Sequence, residues 1–102
     1  MKKHILYLGL NDKDSKQQEI DTITAFKIVL ATVKKFYSGA TIKEATGFYT
    51  HENGESVIEK TLEISILFAE DEKTARLAEE LKRLFNQESI ALEKQEINSI
   101  LI

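Results

Sequence analysis

The chain has 102 residues, 42% of them hydrophobic and 30% charged, with a formal net charge of −3. That describes one globular domain with one modest core, and it argues against disorder. Fourteen basic residues against seventeen acidic ones leave no basic footprint for nucleic acid. The absence of cysteine removes disulfides, thiol chemistry and thiolate metal sites, and His4 and His51 alone cannot form an imidazole cluster. No apolar run approaches the ~20 residues of a membrane span, and Met1-Lys2-Lys3-His4 leads into a strand-length run without a small-residue cleavage site. The expected location is cytoplasmic.

In chain order, Lys3 to Leu10 is a short apolar run with Leu6, Leu8 and Leu10 on one face and Ile5, Tyr7 and Gly9 on the other. It reads as a central strand covered on both sides, with His4 a flanking surface residue. After the polar loop Asn11 to Lys16, two helix starts compete, Ser15 with Gln18 as a capping box and Asp21 one turn later. From Ile20 to Tyr37 the residues Ile23, Phe26, Leu30, Val33 and Tyr37 recur at steps of three and four, widened by Val29 and Phe36, as in an amphipathic helix. Ser38-Gly39 supplies its stop, with Gly39 as a left-handed cap.

Gly39 to Phe68 contains two extended runs flanking Asn53-Gly54, a strong hairpin signal because a type I′ turn needs positive φ at both central residues. A two-residue turn sets Glu52 opposite Glu55. Tyr49, Gly47 and Ala45 then share the core face with Ile58, Lys60 and Leu62, and Phe48 and Glu44 share the other with Glu59 and Glu63. This register leaves Ile42 opposite Ser65 and Glu44 opposite Glu63, which a bulge near Ala45 to Gly47 would relieve. Ile58, Leu62, Ile64, Ile66 and Phe68 form a strict period-two apolar stripe.

Asp71 is the expected N-cap of a second helix whose stripe is Leu77, Ala78, Leu81, Leu84 and Phe85. Gln87-Glu88-Ser89 connects it to a strand, Ile90 to Gln95, and Ile97 to Ile102 extends beyond a break. The order strand, helix, strand, strand, helix, strand predicts an α+β fold, a ferredoxin-like βαββαβ sandwich of one domain with a four-stranded antiparallel sheet and two helices on one face.

Leu6-Tyr7-Leu8-Gly9, the run Gly39 to Tyr49, the pair Glu59 and Leu62, and Phe85-Asn86-Gln87-Glu88-Ser89-Ile90 together resemble an uncharacterised family of small bacterial domains of unknown function. Its pattern is LYFG, GxTVxxAxGxW, an acidic residue on the following strand, and FxQES-V. Here Tyr49 stands where that family tends to have Trp, and Thr50 where it often has a basic residue. At fold level the chain also resembles PII-like signalling proteins, which often associate as trimers and bind nucleotides between subunits, but the short turn at Asn53-Gly54 leaves no room for their long effector loop.

These readings select ligand-binding candidates Tyr49, Glu59, Gln87, Glu88 and Ser89. The bland reading of the last three is a helix cap and turn satisfying local backbone groups. His51, Glu52 and Glu55 at the hairpin tip read as solvated side chains rather than a divalent-metal site. Glu59 and Glu63 share a strand face more than ~12 Å apart, too far for a paired-carboxylate catalyst. No nucleophile with an adjacent base, phosphate loop or metal set emerges, and no cofactor is expected. Ile5, Tyr7, Phe48 and Leu67 are the expected interface residues of a homo-oligomer, a dimer or trimer, built on the sheet face opposite the helices. The function expected is a non-enzymatic self-associating module for a small molecule or protein partner. The alternatives are a PII-like nucleotide sensor and a small oligomeric ferredoxin-like enzyme.

Overall fold

The strand β1 (Lys2–Gly9) is central because its neighbours pair with it on both edges. In the computed structural model, which describes residues 1–50 and 52–102, the remaining elements are α1 (Thr22–Val33), β2 (Thr41–Thr50), β3 (Ser56–Leu67), α2 (Asp71–Leu84) and β4 (Ala91–Glu96). The sheet is antiparallel throughout with order β2-β3-β1-β4, the ferredoxin-like arrangement that the element order predicts.

Strand alternation places Leu6 and Leu8 of β1 with Leu62, Ile64 and Ile66 of β3 on the helix-covered face. There they meet Ala25, Val29 and Val33 from α1 and Leu77, Leu81 and Phe85 from α2 and its C-terminus. On α2 the residues Leu77, Leu81 and Phe85 follow the expected stripe. On α1 the buried face is rotated from the expected one. Ala25, Val29, Thr32 and Val33 are buried, whereas Ile23, Phe26 and Leu30 are exposed.

Of the two expected starts of α1 the second is the one used, and the other helix ends differ from expectation. Asp21 caps α1, its carboxylate accepting hydrogen bonds from the Thr24 backbone N–H and hydroxyl at 2.9 and 2.8 Å. These donors hold its carboxyl below the usual carboxylate range. The helix stops at Val33 with Lys34 as C-cap, and Gly39 does not adopt positive φ. In α2 the capping position is Glu70, which makes no side-chain cap bond, and Asp71 is the first helical residue.

His4 is not a surface residue. Strand parity puts it beside Leu6 and Leu8 under α2, where it is fully buried. Its Nδ1 lies 2.7 Å from Thr74 Oγ1, and Thr74 Oγ1 lies 2.7 Å from the Tyr37 hydroxyl. That hydroxyl also accepts from Glu70 N–H at 3.0 Å. His4 Nε2 faces Asp71 at 3.3 Å, and Asp71 is further held by Lys2 at 2.8 Å and Lys94 at 3.2 Å. Burial lowers the His4 pKa. The two lysines draw the Asp71 carboxyl down to about 2.

The hairpin exists, but its register is one residue away from the expected one. Thr50 pairs with Ser56, leaving a connection of residues 51–55. Gly54 has φ +86° but Asn53 has no positive φ, so the turn is not the two-residue type I′ form. Asn53 Oδ1 instead accepts from Glu55 N–H at 3.0 Å. The slip exchanges the faces of β2. Ile42 now lies opposite Ile64 and packs on the core, Phe48 lies opposite Ile58, and Tyr49 opposite Val57. The pairing is continuous from Thr41 to Thr50 without the bulge expected near Ala45 to Gly47. Phe48 therefore stands on the helix-side face, away from Ile5, Tyr7 and Leu67. The hairpin projects beyond the helices, so Phe48 and Ile58 are 79% and 72% exposed. Residues 97–102 form no strand, although Ile97 N–H donates to Met1 O at 3.0 Å. No helix among the described residues is long and apolar enough to cross a membrane.

Candidate ligand cleft

β1 pairs with β3 only as far as Gly9 opposite Thr61, yet β3 begins five residues earlier, at Ser56. The projecting hairpin and the two loops beside it therefore enclose a concave space at this end of the sheet. The cleft is about 730 Å³ and is lined on one side by Tyr49 and residues 55–59. On the other side stand Asn11, Asp12, Lys13, Lys16 and the turn Gln87-Glu88-Ser89. All five ligand candidates read from the sequence, Tyr49, Glu59, Gln87, Glu88 and Ser89, thus come to one place.

The loop after β1 owes its shape to the end of α2. Asn86 adopts φ +47°, a conformation that asparagine tolerates better than most residues. Its Nδ2 then donates to Asp12 Oδ1 at 2.9 Å and Asp14 Oδ2 at 2.8 Å, while its carbonyl accepts from Lys13 N–H at 3.0 Å. Asp12 Oδ2 also accepts from the backbone N–H groups of Asp14 and Ser15, which closes a local turn. The Asn86 amide and these two N–H groups lower the Asp12 pKa. Gln87 Nε2 donates to Asn11 O at 2.6 Å and Phe85 O at 3.3 Å. Of the five candidates, Gln87 therefore takes the part of a loop anchor: its bond to Phe85 O is of the local kind the bland reading describes, and its bond to Asn11 O is not. Asn86 and Asn11 were missed as site-forming residues. The Asn86 signal was available in the FNQES run, where a helix ends in an asparagine.

Glu59 occupies the open sheet face, one alternation beyond Thr61. Its Oε2 accepts from Asn11 N–H at 3.0 Å. Glu59, Asp12, Glu55 and Glu88 give the cleft four carboxylates against the ammonium groups of Lys13 and Lys16. An anionic ligand meets net repulsion there, and a cation meets attraction. Val57 and Ile58 with the Tyr49 ring add apolar and aromatic surface. Among the described residues no group of three His, Asp or Glu side chains could hold a metal ion, and His51 lies outside them.

The expected interface residues do not share one surface. Ile5 and Tyr7 lie on the open sheet face with Leu67, the Tyr7 hydroxyl donating to Glu93 Oε1 at 2.8 Å. That face also carries Glu63, which pairs with Lys43 at 3.6 Å. Phe48 belongs to the opposite face of the projecting arm.

A family described as proteins of unknown function, DUF3574, matches residues 3–99. Among solved structures, a phage SAM lyase in complex with S-methyl-5′-thioadenosine is 27% identical, covering 93% of this chain and 80% of that one with a TM-score of 0.71. CutA1 from Pyrococcus horikoshii is 18% identical, covering 96% and 86% with a TM-score of 0.55. The periplasmic divalent cation tolerance protein CutA from Archaeoglobus fulgidus is 16% identical, covering 97% and 87% with a TM-score of 0.57. The two CutA structures share the fold alone. No curated protein matches the chain.

Proposed function

The chain belongs to the DUF3574 family, and we propose that it binds an adenosine carrying a sulfur substituent at the 5′ position, the class of S-methyl-5′-thioadenosine and S-adenosylmethionine. The observation that carries this reading is the cleft that gathers Tyr49, Glu59, Glu88 and Ser89. It is supported by the likeness, over nearly the whole chain, to a lyase whose structure holds S-methyl-5′-thioadenosine. Tyr49 offers an aromatic face on which a purine can stack, and Val57 and Ile58 offer apolar cover. Glu88 and Ser89 supply a hydrogen-bond acceptor and a hydroxyl for ribose or base edges. The excess of carboxylates disfavours a nucleoside triphosphate, so the PII-like nucleotide-sensor reading is the weaker one.

The lyase likeness also favours an enzyme reading. In the loss of S-methyl-5′-thioadenosine from S-adenosylmethionine the substrate's own carboxylate can attack the carbon next to sulfur, closing a lactone C–O bond as the C–S bond breaks and its electron pair returns to sulfur, so that the thioadenosine leaves and the sulfonium is neutralised. A cleft rich in carboxylates accommodates that starting cation. Assembly as a homo-oligomer accompanies both readings, because Phe48 and Ile58 on the projecting arm and Leu67 on the open face leave apolar surface uncovered.

The test is a melting-temperature titration with S-methyl-5′-thioadenosine, followed by incubation with S-adenosylmethionine and chromatography for the thioadenosine. A ligand at 100 times its Kd stabilises by about 2.7 kcal/mol, which raises Tm by roughly 10 °C in a domain of this size. No shift with either compound refutes the binding reading. Binding without release of thioadenosine leaves a binding module, and release establishes the lyase.

A further inference from the structure

We infer that the cleft distinguishes a cationic ligand centre from its neutral isostere through the Glu59 carboxylate, which Gly9, Asn11 and Gln87 together hold in place. The inference deepens the proposed function and rests on it. β1 leaves β3 just beyond Leu10, whose N–H donates to Lys60 O at 3.0 Å, and the Glu59 side chain folds back over Gly9. A Cβ built on Gly9 would lie 2.4 Å from Glu59 Oε1 and 2.8 Å from Oε2. Glycine is therefore the residue that lets a carboxylate lie against the strand. One oxygen is tethered, since Oε2 accepts from Asn11 N–H at 3.0 Å. The same residue is held from behind, where Gln87 Nε2 donates to Asn11 O at 2.6 Å. Gln87 is thus a positioning residue that acts on the ligand through Asn11 and Glu59.

Glu59 Oε1 accepts no hydrogen bond among the described residues and lies at the cleft wall. Of the other carboxylates in the cleft, Asp12 is already engaged by Asn86 and two backbone N–H groups. Glu59 is half-buried, so its charge is screened less than those of the exposed Glu55 and Glu88. A sulfonium or ammonium beside Oε1 gains a charge-assisted contact that a thioether cannot make. A contact of that kind corresponds to about ten- to hundredfold in affinity.

Isothermal titration of the whole chain with sinefungin, whose ammonium replaces the sulfonium and cannot be cleaved, and with S-adenosylhomocysteine, the neutral thioether, tests this. The native chain is expected to prefer sinefungin by about tenfold or more. Glu59→Gln is expected to bring the ratio near one with S-adenosylhomocysteine affinity little changed. Gln87→Leu is expected to erode the same ratio, whereas a loss of fold alone would weaken both ligands equally. Equal affinities in the native chain, or a preference that survives Glu59→Gln, overturn the inference and leave the proposed function standing. Failure of both compounds to bind overturns both.

Discussion

Replacing Thr74 by Val isolates the hydrogen bonds of the buried His4 cluster, because valine matches threonine in shape and opens no cavity. Thr74 is fully buried, and its hydroxyl serves both His4 Nδ1 and the Tyr37 hydroxyl at 2.7 Å. After the change Tyr37 keeps its contacts with the Glu70 N–H and carbonyl, each at 3.0 Å. His4 Nδ1 keeps nothing. An orphaned buried polar group costs about 1–3 kcal/mol, and the added methyl returns roughly 0.8 kcal/mol, so the net loss is about 0.2–2 kcal/mol. Urea denaturation at pH 7.5 reads this directly as a fall in midpoint of up to roughly 1 M at unchanged slope, for a slope near 1–3 kcal/mol/M. In a His4→Leu background the orphan no longer exists, and Thr74→Val should cost little. No loss in the native background, or an equal loss in both, would refute the network.

The same cluster makes stability depend on pH. Burial depresses the His4 pKa in the folded state, so between that value and 6.5 the unfolded chain binds more protons, and stability is lost as pH falls through 6.5. Asp71, Lys2 and Lys94 are the charged groups around the ring. Urea midpoints at pH 7.5 and 5.5 should converge in His4→Gln relative to the native chain. On β3, Ile64→Ala should cost about 2–5 kcal/mol, whereas Ile58→Ala, on the same face but beyond the helices, should cost under about 1 kcal/mol, and equal costs in thermal unfolding would contradict the observed projection. Gly9→Ala should force the Glu59 carboxylate off the strand, detectable as a changed Asn11 amide resonance; an unmoved resonance would contradict the close approach.

How far the sequence speaks for the structure can be read from particular residues. Period-two and helical spacing located all six elements, because alternation in β3 and the stripe of α2 are strong enough to survive any turn geometry. The faces of β2 depended on a single assumption, two residues in the turn. A five-residue connection in place of the two-residue turn shifted the register by one and exchanged Phe48 and Tyr49, since a strand's side chains have a period of two. His4 shares parity with Leu6 and Leu8, so its burial was available in the strand pattern but masked by the usual surface preference of a charged terminus. The α1 face was harder. Its outer Ile23, Phe26 and Leu30 are more apolar than the buried Ala25 and Thr32, so hydrophobicity alone points to the wrong face. The cleft residues converged because they lie at the ends of β1, β2 and β3 and the start of β4, whereas the tether from Gln87 to Asn11 joins residues 76 apart and left no local trace.

The strand order has a consequence for how the chain is made. β2 and β3 pair across a five-residue connection and can form as soon as both have been synthesised. β1, although it comes first, must wait. Its partner on one edge is β3, more than fifty residues later, and on the other it is β4, where Lys2 meets Glu96. During synthesis the first strand is therefore held open while the rest of its sheet is assembled, and pairings of such long sequence separation are slow to close. Lys2, Lys3 and His4 place charge or polarity at the start of that waiting strand, which discourages it from pairing with another nascent copy. Lys2, which finally holds Asp71 at 2.8 Å in the folded protein, thus also keeps charge on the strand before its partners arrive.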